Sequence, residues 1–365
     1  MILRARERNA KINTSKGKQN KKHKHKTEVE KMLNVGVIGC GGMGKDHIKR
    51  LTEKIQGAQV VAVSDVFEEG AKEAAKIAGG AKVYTDGKDL INDPDVDAVF
   101  IVSPGFAHTE SLLQAIEAGK RVFCEKPLAT TADDCKKIVE AEVASGKHLI
   151  QLGFMRRYDK GYVQVKEALK SGEYGEPLIL HCTHRNPEVG TNYNTPMAVH
   201  DTAIHEIDTL HWLVDDEYES AQVIMPKVTK YSHSELKDPQ IMLLRTKRGI
   251  CIDVEVFVNC KFGYDINCEV VCEDGAIKMA QPSYPSIRKD AAVSTKIDTD
   301  CFVRFKDAYD TEVQNWADCA KDGVINGPTA WDGYLAAVTA DALVKAQETG
   351  QIEPIHTDEK PEFYK

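Results

Sequence analysis

The sequence predicts an α/β protein built on two sheets. A doubly wound parallel sheet comes first, followed by an α+β part with an open, mainly antiparallel sheet. Three observations carry this. From Met32 to about Gln151, short β-branched runs alternate with Ala/Lys/Glu-rich helical stretches, and strands joined through helices run parallel. After Gly153 the strands follow one another directly, as antiparallel strands do. A chain of 365 residues, 42% hydrophobic and 28% charged, is long enough for two cores and has the composition of a globular protein.

In the first part the strand segments are NVGVIG, QVVAVSD, KVYTD, DAVFIVSP, KRVFCEKP and HLIQLGF. Helical segments between them, such as EEGAKEAAKIAGG and HTESLLQAIEAGK, run into Gly, a residue that closes helices. In the second part a helix near Lys160–Lys170 stops at SGEYGEP, and LILHCTH opens the second sheet. AQVIMP, the hairpin IMLLRTKRGICIDVEVFV turning at Lys247–Gly249, DINCEVVCE and AIKMA continue it. A helix in VHDTAIHEIDTLHW is inserted between the first two of these strands, and DTEVQNWADCAKDG and WDGYLAAVTADALVKAQETG close the chain as helices.

The net charge of −8 hides an asymmetry: residues 1–31 carry +8 and the remainder −16. A body that acidic repels phosphates, which argues against nucleic acid as a partner of the folded part. The basic leader lacks an apolar segment and a small-residue cleavage site, so it is not a secretory signal. It is expected to be disordered, and Met32 just before the first strand marks it as an upstream start extension or an inert tail. No run approaches the roughly 18 apolar residues of a membrane helix, so no membrane partner is expected. The ten cysteines include no Cys-x-x-Cys and read as reduced thiols of a cytoplasmic protein.

VIGCGGMGKDH is a Gly-x-Gly-x-x-Gly fingerprint at Gly39, Gly41 and Gly44, between a strand and a helix. Its missing Cβ atoms let the backbone approach a pyrophosphate at a helix N-terminus. Asp65 ends the second strand, 21 residues after Gly44. A carboxylate there accepts from a ribose diol and repels a 2′-phosphate, and no Arg is adjacent, so NAD is favoured over NADP. In FCEKPLA, Lys126 stands at the carboxyl edge of the sheet, directed into the crevice, with Pro127 fixing the chain beside it. Asp201 and His205, at i and i+4, share a helix face. A neutral histidine beside a carboxylate suits proton transfer from an alcohol. Zinc is not expected, because no His pair stands four apart on that helix. His181 and His184 face opposite sides of a strand, and His184 with Arg185 and Asn186 is the pair member placed to line a site.

With the glycine fingerprint, EKPLA and Asp-x-x-x-His in this order, the chain resembles the glucose–fructose oxidoreductase/inositol dehydrogenase (Gfo/Idh/MocA) superfamily. GFMRRYDKGYVQVKEAL, HRNPEVGTNY, DTAIHEIDTLHWL and VNCKFGYDINCEVV extend the likeness from about Met32 to the end. The resemblance implies a Rossmann domain over residues 32–152 and a substrate-binding and oligomerisation domain over 153–365, with the site between them. It implies a homotetramer associated through the exposed sheet. It also implies NAD-dependent oxidation of the axial hydroxyl of myo-inositol to a ketone, the first step of inositol breakdown. The implied catalytic group is Lys126, Asp201 and His205, with Asp201 orienting the other two. Gly42, Met43, Ser103, Pro104, His108 and Glu125 join Gly39, Gly41, Gly44 and Asp65 as cofactor contacts. Met155, Arg156, His184, Asn186 and Tyr264 line the polyol pocket. D-chiro-inositol, scyllo-inositol and a pyranose such as glucose are alternative substrates, and a non-catalytic ligand sensor is the alternative from another class.

Overall fold

The structure, a computed structural model, describes residues 32–365 apart from Ser283; the expected disordered leader lies outside the described residues. Its first sheet holds β1 (Leu33–Ile38), β2 (Ala58–Ser64), β3 (Lys82–Tyr84), β4 (Ala98–Ile101), β5 (Arg121–Glu125) and β6 (Ile150–Gly153). The connecting helices are α1 (Gly42–Glu53), α2 (Glu68–Ile77), α3 (Gly87–Asn92), α4 (His108–Glu117) and α5 (Ala132–Ser145). All strands are parallel in the order β3-β2-β1-β4-β5-β6. Every residue of β4 and β6 is buried, which is why these strands read as continuous apolar runs rather than alternating ones. The strand order reverses between β1 and β4, opening a crevice at the carboxyl ends.

The chain then forms α6 (Lys160–Ser171), β7 (Pro177–Arg185), α7 (Ile204–Val214), β8 (Tyr218–Ile224), β9 (Gln240–Thr246), β10 (Cys251–Phe257), β11 (Asp265–Cys272) and β12 (Ala276–Lys278). A short hairpin, β13 (Ile287–Lys289) and β14 (Ala292–Ser294), precedes α8 (Cys301–Arg304), α9 (Lys306–Lys321), α10 (Ala330–Thr349) and β15 (Glu353–Pro354). The second sheet runs β12-β11-β7-β10-β9-β8-β15, antiparallel at every pair except β7–β10. Alternate residues of β9, β10 and β11 are buried, so one face packs on the core. The other face carries the ion pairs Arg185–Glu255 and His181–Asp253. Among the described residues no helix is long and apolar enough to cross a membrane.

α10 touches α5 and β6 on one side and α7 and β8 on the other, and one buried apolar cluster runs from Ile38 to Tyr364. Gly333 permits this contact, because a Cβ there would stand 2.7 Å from Leu128 and 2.8 Å from Leu152.

One deviation from the expected helices matters for the site. VHDTAIHEIDTLHW is α-helical only from Ile204; Ala198–Ala203 form a π-helical turn that carries Asp201. Such a turn holds one extra residue and is found mostly at functional sites. α7 is pinned from β6 by two consecutive arginines. Arg156 pairs with Glu206, and Arg157 pairs with Asp208 and with Asp332 in the first turn of α10. Asp332 also closes a capping box with Thr329. Removing one partner from a buried ion pair leaves charge without compensation. Arg157→Met should therefore lower unfolding free energy by about 3–5 kcal/mol, read by denaturant or thermal melts; a loss under about 1 kcal/mol, the size of an exposed pair, would contradict the clamp.

Candidate active site

The glycine loop follows β1 because its backbone leaves the range open to other residues. Gly39 has φ +97°, and a Cβ there would press on the Val102–Ser103 backbone. A Cβ on Gly44 would collide with the Gly39 carbonyl oxygen. Gly41 and Gly42 face open space, with nothing within 4 Å of an added Cβ, and Met43 is half-buried beside them. The first turn of α1 contains no acidic residue and its N-cap supplies no side-chain bond, so its N–H groups are free for an anion. Asp65 is held at the rim of this cradle: Oδ2 accepts from the Cys40 N–H at 2.7 Å and Oδ1 from the Phe67 N–H at 2.9 Å.

On the opposite side of the crevice Ser103 is half-buried, its Oγ enclosed without a partner, and Pro104 is exposed. His108 is a correction to the cofactor set. It is fully buried, with its ring nitrogens 2.7 Å from the carbonyl oxygens of Ser103 and Pro127. It braces the two loops that border the crevice. Glu125 is buried too. It takes His47 Nε2 at 2.8 Å and the Lys126 N–H at 3.1 Å, which fixes the backbone from which Lys126 springs.

Lys126 reaches across to the π-turn, where Nζ donates to Asp201 O at 2.9 Å and to Asp201 Oδ1 at 2.8 Å. An ammonium has three donors, so one remains for a ligand. Lys126 holds the Asp201 carboxyl below its usual range. Asp201 was expected to orient both Lys126 and His205. Among the described residues it binds Lys126, whereas His205 Nδ1 is enclosed without a partner. Burial, reinforced by Lys126, Arg156 and His184, drives the His205 pKa well below 6.5, so the ring is neutral.

Behind His205 lies a second buried group. His184 Nδ1 is 2.8 Å from Glu206 Oε2, and Arg156 bonds to the other Glu206 oxygen. Burial pushes the Glu206 carboxyl up, but Arg156 and His184 outweigh it and keep the group ionised. Arg156, expected among the residues lining a pocket, is fully enclosed and acts on His184 and Glu206 instead. Tyr264 is buried with its OH 3.5 Å from His184 Nε2. Met155 is buried in the apolar core, and Asn186 is half-buried just past β7, its backbone paired with Phe257 and Cys260.

Glu206, Arg157 and Asp208 were missed as site-building residues. Their signal was two acids on an otherwise apolar helix, AIHEIDTL, opposite the doubled arginine of MRRYD. Buried acids need partners. Among the described residues no three His, Cys, Asp or Glu side chains converge to hold a metal.

The residues present fit a dinucleotide. The cradle at Gly39 and Gly44 would be filled by any Cβ, the free N-terminus of α1 suits a pyrophosphate, and Asp65 is fixed where a ribose diol would lie. Asp65→Ser should cut the preference for NAD over NADP by about tenfold or more, since a like-charge repulsion worth at least ~1.4 kcal/mol is lost. Dissociation constants for both dinucleotides measure this; an unchanged ratio would remove Asp65 from cofactor selection.

Comparison with known proteins agrees with this geometry. The family model described as "Oxidoreductase family, NAD-binding Rossmann fold" matches residues 33–154. Its companion, "Oxidoreductase family, C-terminal alpha/beta domain", matches residues 166–356. A protein of Pseudomonas syringae pv. syringae named inositol 2-dehydrogenase is 54% identical, over 91% of this chain and 99% of its own. One of Serratia proteamaculans with the same name is 53% identical over the same shares. Among solved structures, myo-inositol dehydrogenase from Lactobacillus casei, in complex with NAD(H) and myo-inositol, superposes with a TM-score of 0.90 at 44% identity, covering 92% of this chain and all of that one. The scyllo-inositol dehydrogenase of the same organism gives 0.84 at 25% identity, covering 89% of this chain and 99% of that one. The chain belongs to the Gfo/Idh/MocA family of NAD-binding oxidoreductases.

Proposed function

We propose that this chain oxidises myo-inositol with NAD at its axial hydroxyl, giving 2-keto-myo-inositol. The observation that carries the reading is the Lys126–Asp201 pair beside a neutral, buried His205 at the carboxyl edge of the NAD-binding sheet. The relatives named inositol 2-dehydrogenase support it, as does the likeness at 44% identity to a myo-inositol dehydrogenase solved with NAD(H) and myo-inositol. Lys126, Asp201 and His205 have no use as a group in a non-catalytic sensor.

Carbon gives up a hydride only as its hydroxyl loses a proton. NAD, when bound, supplies the hydride acceptor. His205 takes the hydroxyl proton. Because Nδ1 is sealed, the accepting nitrogen is Nε2 and the resting proton sits on Nδ1. The free Nζ donor of Lys126 binds the reacting oxygen and stabilises its developing charge. Asp201 holds the ammonium in place and balances its charge. Gly39, Gly41, Gly42, Met43, Gly44 and Asp65 bind the dinucleotide, with Ser103, Pro104 and Glu125 bordering it. His184, Met155, Asn186 and Tyr264 surround the polyol.

The same reading divides the chain into an NAD-binding domain over residues 32–152 and a substrate-binding and oligomerisation domain over 153–365. It includes a cytoplasmic homotetramer acting in inositol breakdown, with no nucleic-acid or membrane partner. The outer face of the second sheet, where Ile179 and Ile224 are exposed, supports association through that surface.

NAD reduction across myo-, scyllo- and D-chiro-inositol and glucose tests the proposal. The highest kcat/KM is expected for myo-inositol, and no turnover on any polyol would overturn the enzyme reading. His205→Ala should lose about 10²–10⁴-fold in kcat with NAD affinity unchanged; retained turnover would exclude it as base. Because the depressed pKa keeps His205 neutral below pH 6.5, activity should be lost only as pH falls through that lower value. An acidic limb of kcat/KM at or above pH 6.5 would contradict a neutral resting base.

A further inference from the structure

We propose that Glu206 fixes the proton of His184 on Nδ1 and so makes its Nε2 an obligatory acceptor for one hydroxyl of the substrate. This rests on the polyol reading above and adds to it a residue that positions a proton rather than touching substrate.

His184 Nδ1 has two close neighbours, Glu206 Oε2 at 2.8 Å and Arg156 Nη2 at 3.1 Å. They make opposite demands. A carboxylate can only accept, and a guanidinium can only donate. If Nδ1 were bare, its lone pair would face the carboxylate's at 2.8 Å with no proton between them. With the proton on Nδ1, the shorter contact becomes a charge-assisted hydrogen bond. The cost falls on Arg156: its Nη1 stays bonded to the other oxygen of Glu206, while Nη2 gives up His184 as an acceptor, a smaller penalty than a bare nitrogen set against a carboxylate at the shorter distance. All three side chains are at most 3% exposed, so water cannot relieve the wrong arrangement. Burial lowers the His184 pKa and the adjacent guanidinium opposes a second positive charge. The ring is therefore neutral, and its other nitrogen carries only a lone pair.

That nitrogen belongs to a ring that neighbours the base. Nε2 lies 3.5 Å from Tyr264 OH, at the limit of a hydrogen bond, and the His184 ring centroid is 6.4 Å from that of His205. The lone pair is weakly claimed. A substrate hydroxyl can donate to it; a group that only accepts cannot.

Glu206→Gln tests the assignment with little change of shape. The amide oxygen can take Arg156, and its NH₂ then donates to Nδ1, which moves the ring proton to Nε2. The probes are monodeoxy and monodeoxy-monofluoro myo-inositols, measured as competitive inhibitors of myo-inositol oxidation by the full chain with NAD. In the parent enzyme, one ring position is expected where fluorine binds no better than hydrogen, each weakening binding about ten- to hundredfold because a buried acceptor is left without its donor. In Glu206→Gln the fluoro analogue at that position should bind several-fold better than the deoxy one, since fluorine can accept from Nε2–H. Glu206→Asp retains a carboxylate and should keep the parent pattern. A fluorine-to-hydrogen ratio unmoved by Glu206→Gln would overturn the proposal. If Glu206→Gln does not fold, parent data in which fluorine replaces hydroxyl without penalty at every position would overturn it alone. Failure of the parent to oxidise myo-inositol at all is a separate result, and it would count against the substrate instead.

Discussion

The site depends on how one helix is held. α7 and the π-turn before it carry Asp201, His205 and Glu206, and they lie on the second sheet, whereas Lys126 and the glycine cradle belong to the first. Arg156 and Arg157, directly after β6, bind Glu206 and Asp208. Each of these ion pairs joins the end of the parallel sheet to α7. Charges this deeply buried hold one geometry, because any displacement leaves an ion without a partner in a medium that cannot solvate it. Arg157 extends the constraint to Asp332 at the start of α10, the helix that packs against both sheets.

From that constraint the electrostatics of the site follow. The one exposed ion pair of the group, Lys126–Asp201, sits at the crevice with Asp201 about half exposed. The groups behind it are sealed. His205 and His184 are both neutral, since burial and the neighbouring cations disfavour a further positive charge. A base that rests neutral is ready to accept a proton, and Lys126 is a cation ready to stabilise an oxyanion. Burial keeps the histidine neutral in its role as base.

Much of this was legible in the sequence. The six parallel strands, the strand segments of the second sheet and the inserted helix follow from apolar period and from Gly at helix ends, because those patterns reflect burial directly. Gly39, Gly44, Asp65, Lys126, Asp201 and His205 stood out by spacing within local motifs. The structure differed where long-range contacts decide. Spacing pairs Asp201 with His205 four residues on, whereas the structure binds it to Lys126, 75 residues away, and leaves His205 Nδ1 without it. His108 reads as a crevice residue until its two carbonyl partners are seen. The π-turn has no period of its own, and the exposed β13–β14 hairpin has no buried face to pattern. Arg156 and Glu206 carry a signal only as a pair, a doubled arginine and two acids on an apolar helix, and a single sequence does not say that they meet.

The central claim is that the site moves a hydride from a carbon of the polyol to NAD while His205 takes the hydroxyl proton. The most direct measurement is oxidation of myo-inositol deuterated at the carbon bearing the axial hydroxyl. The account predicts NADH that carries the deuterium, one per turnover, with slower transfer than for the protonated substrate in a single-turnover experiment. Reduced cofactor that forms without the label would contradict it.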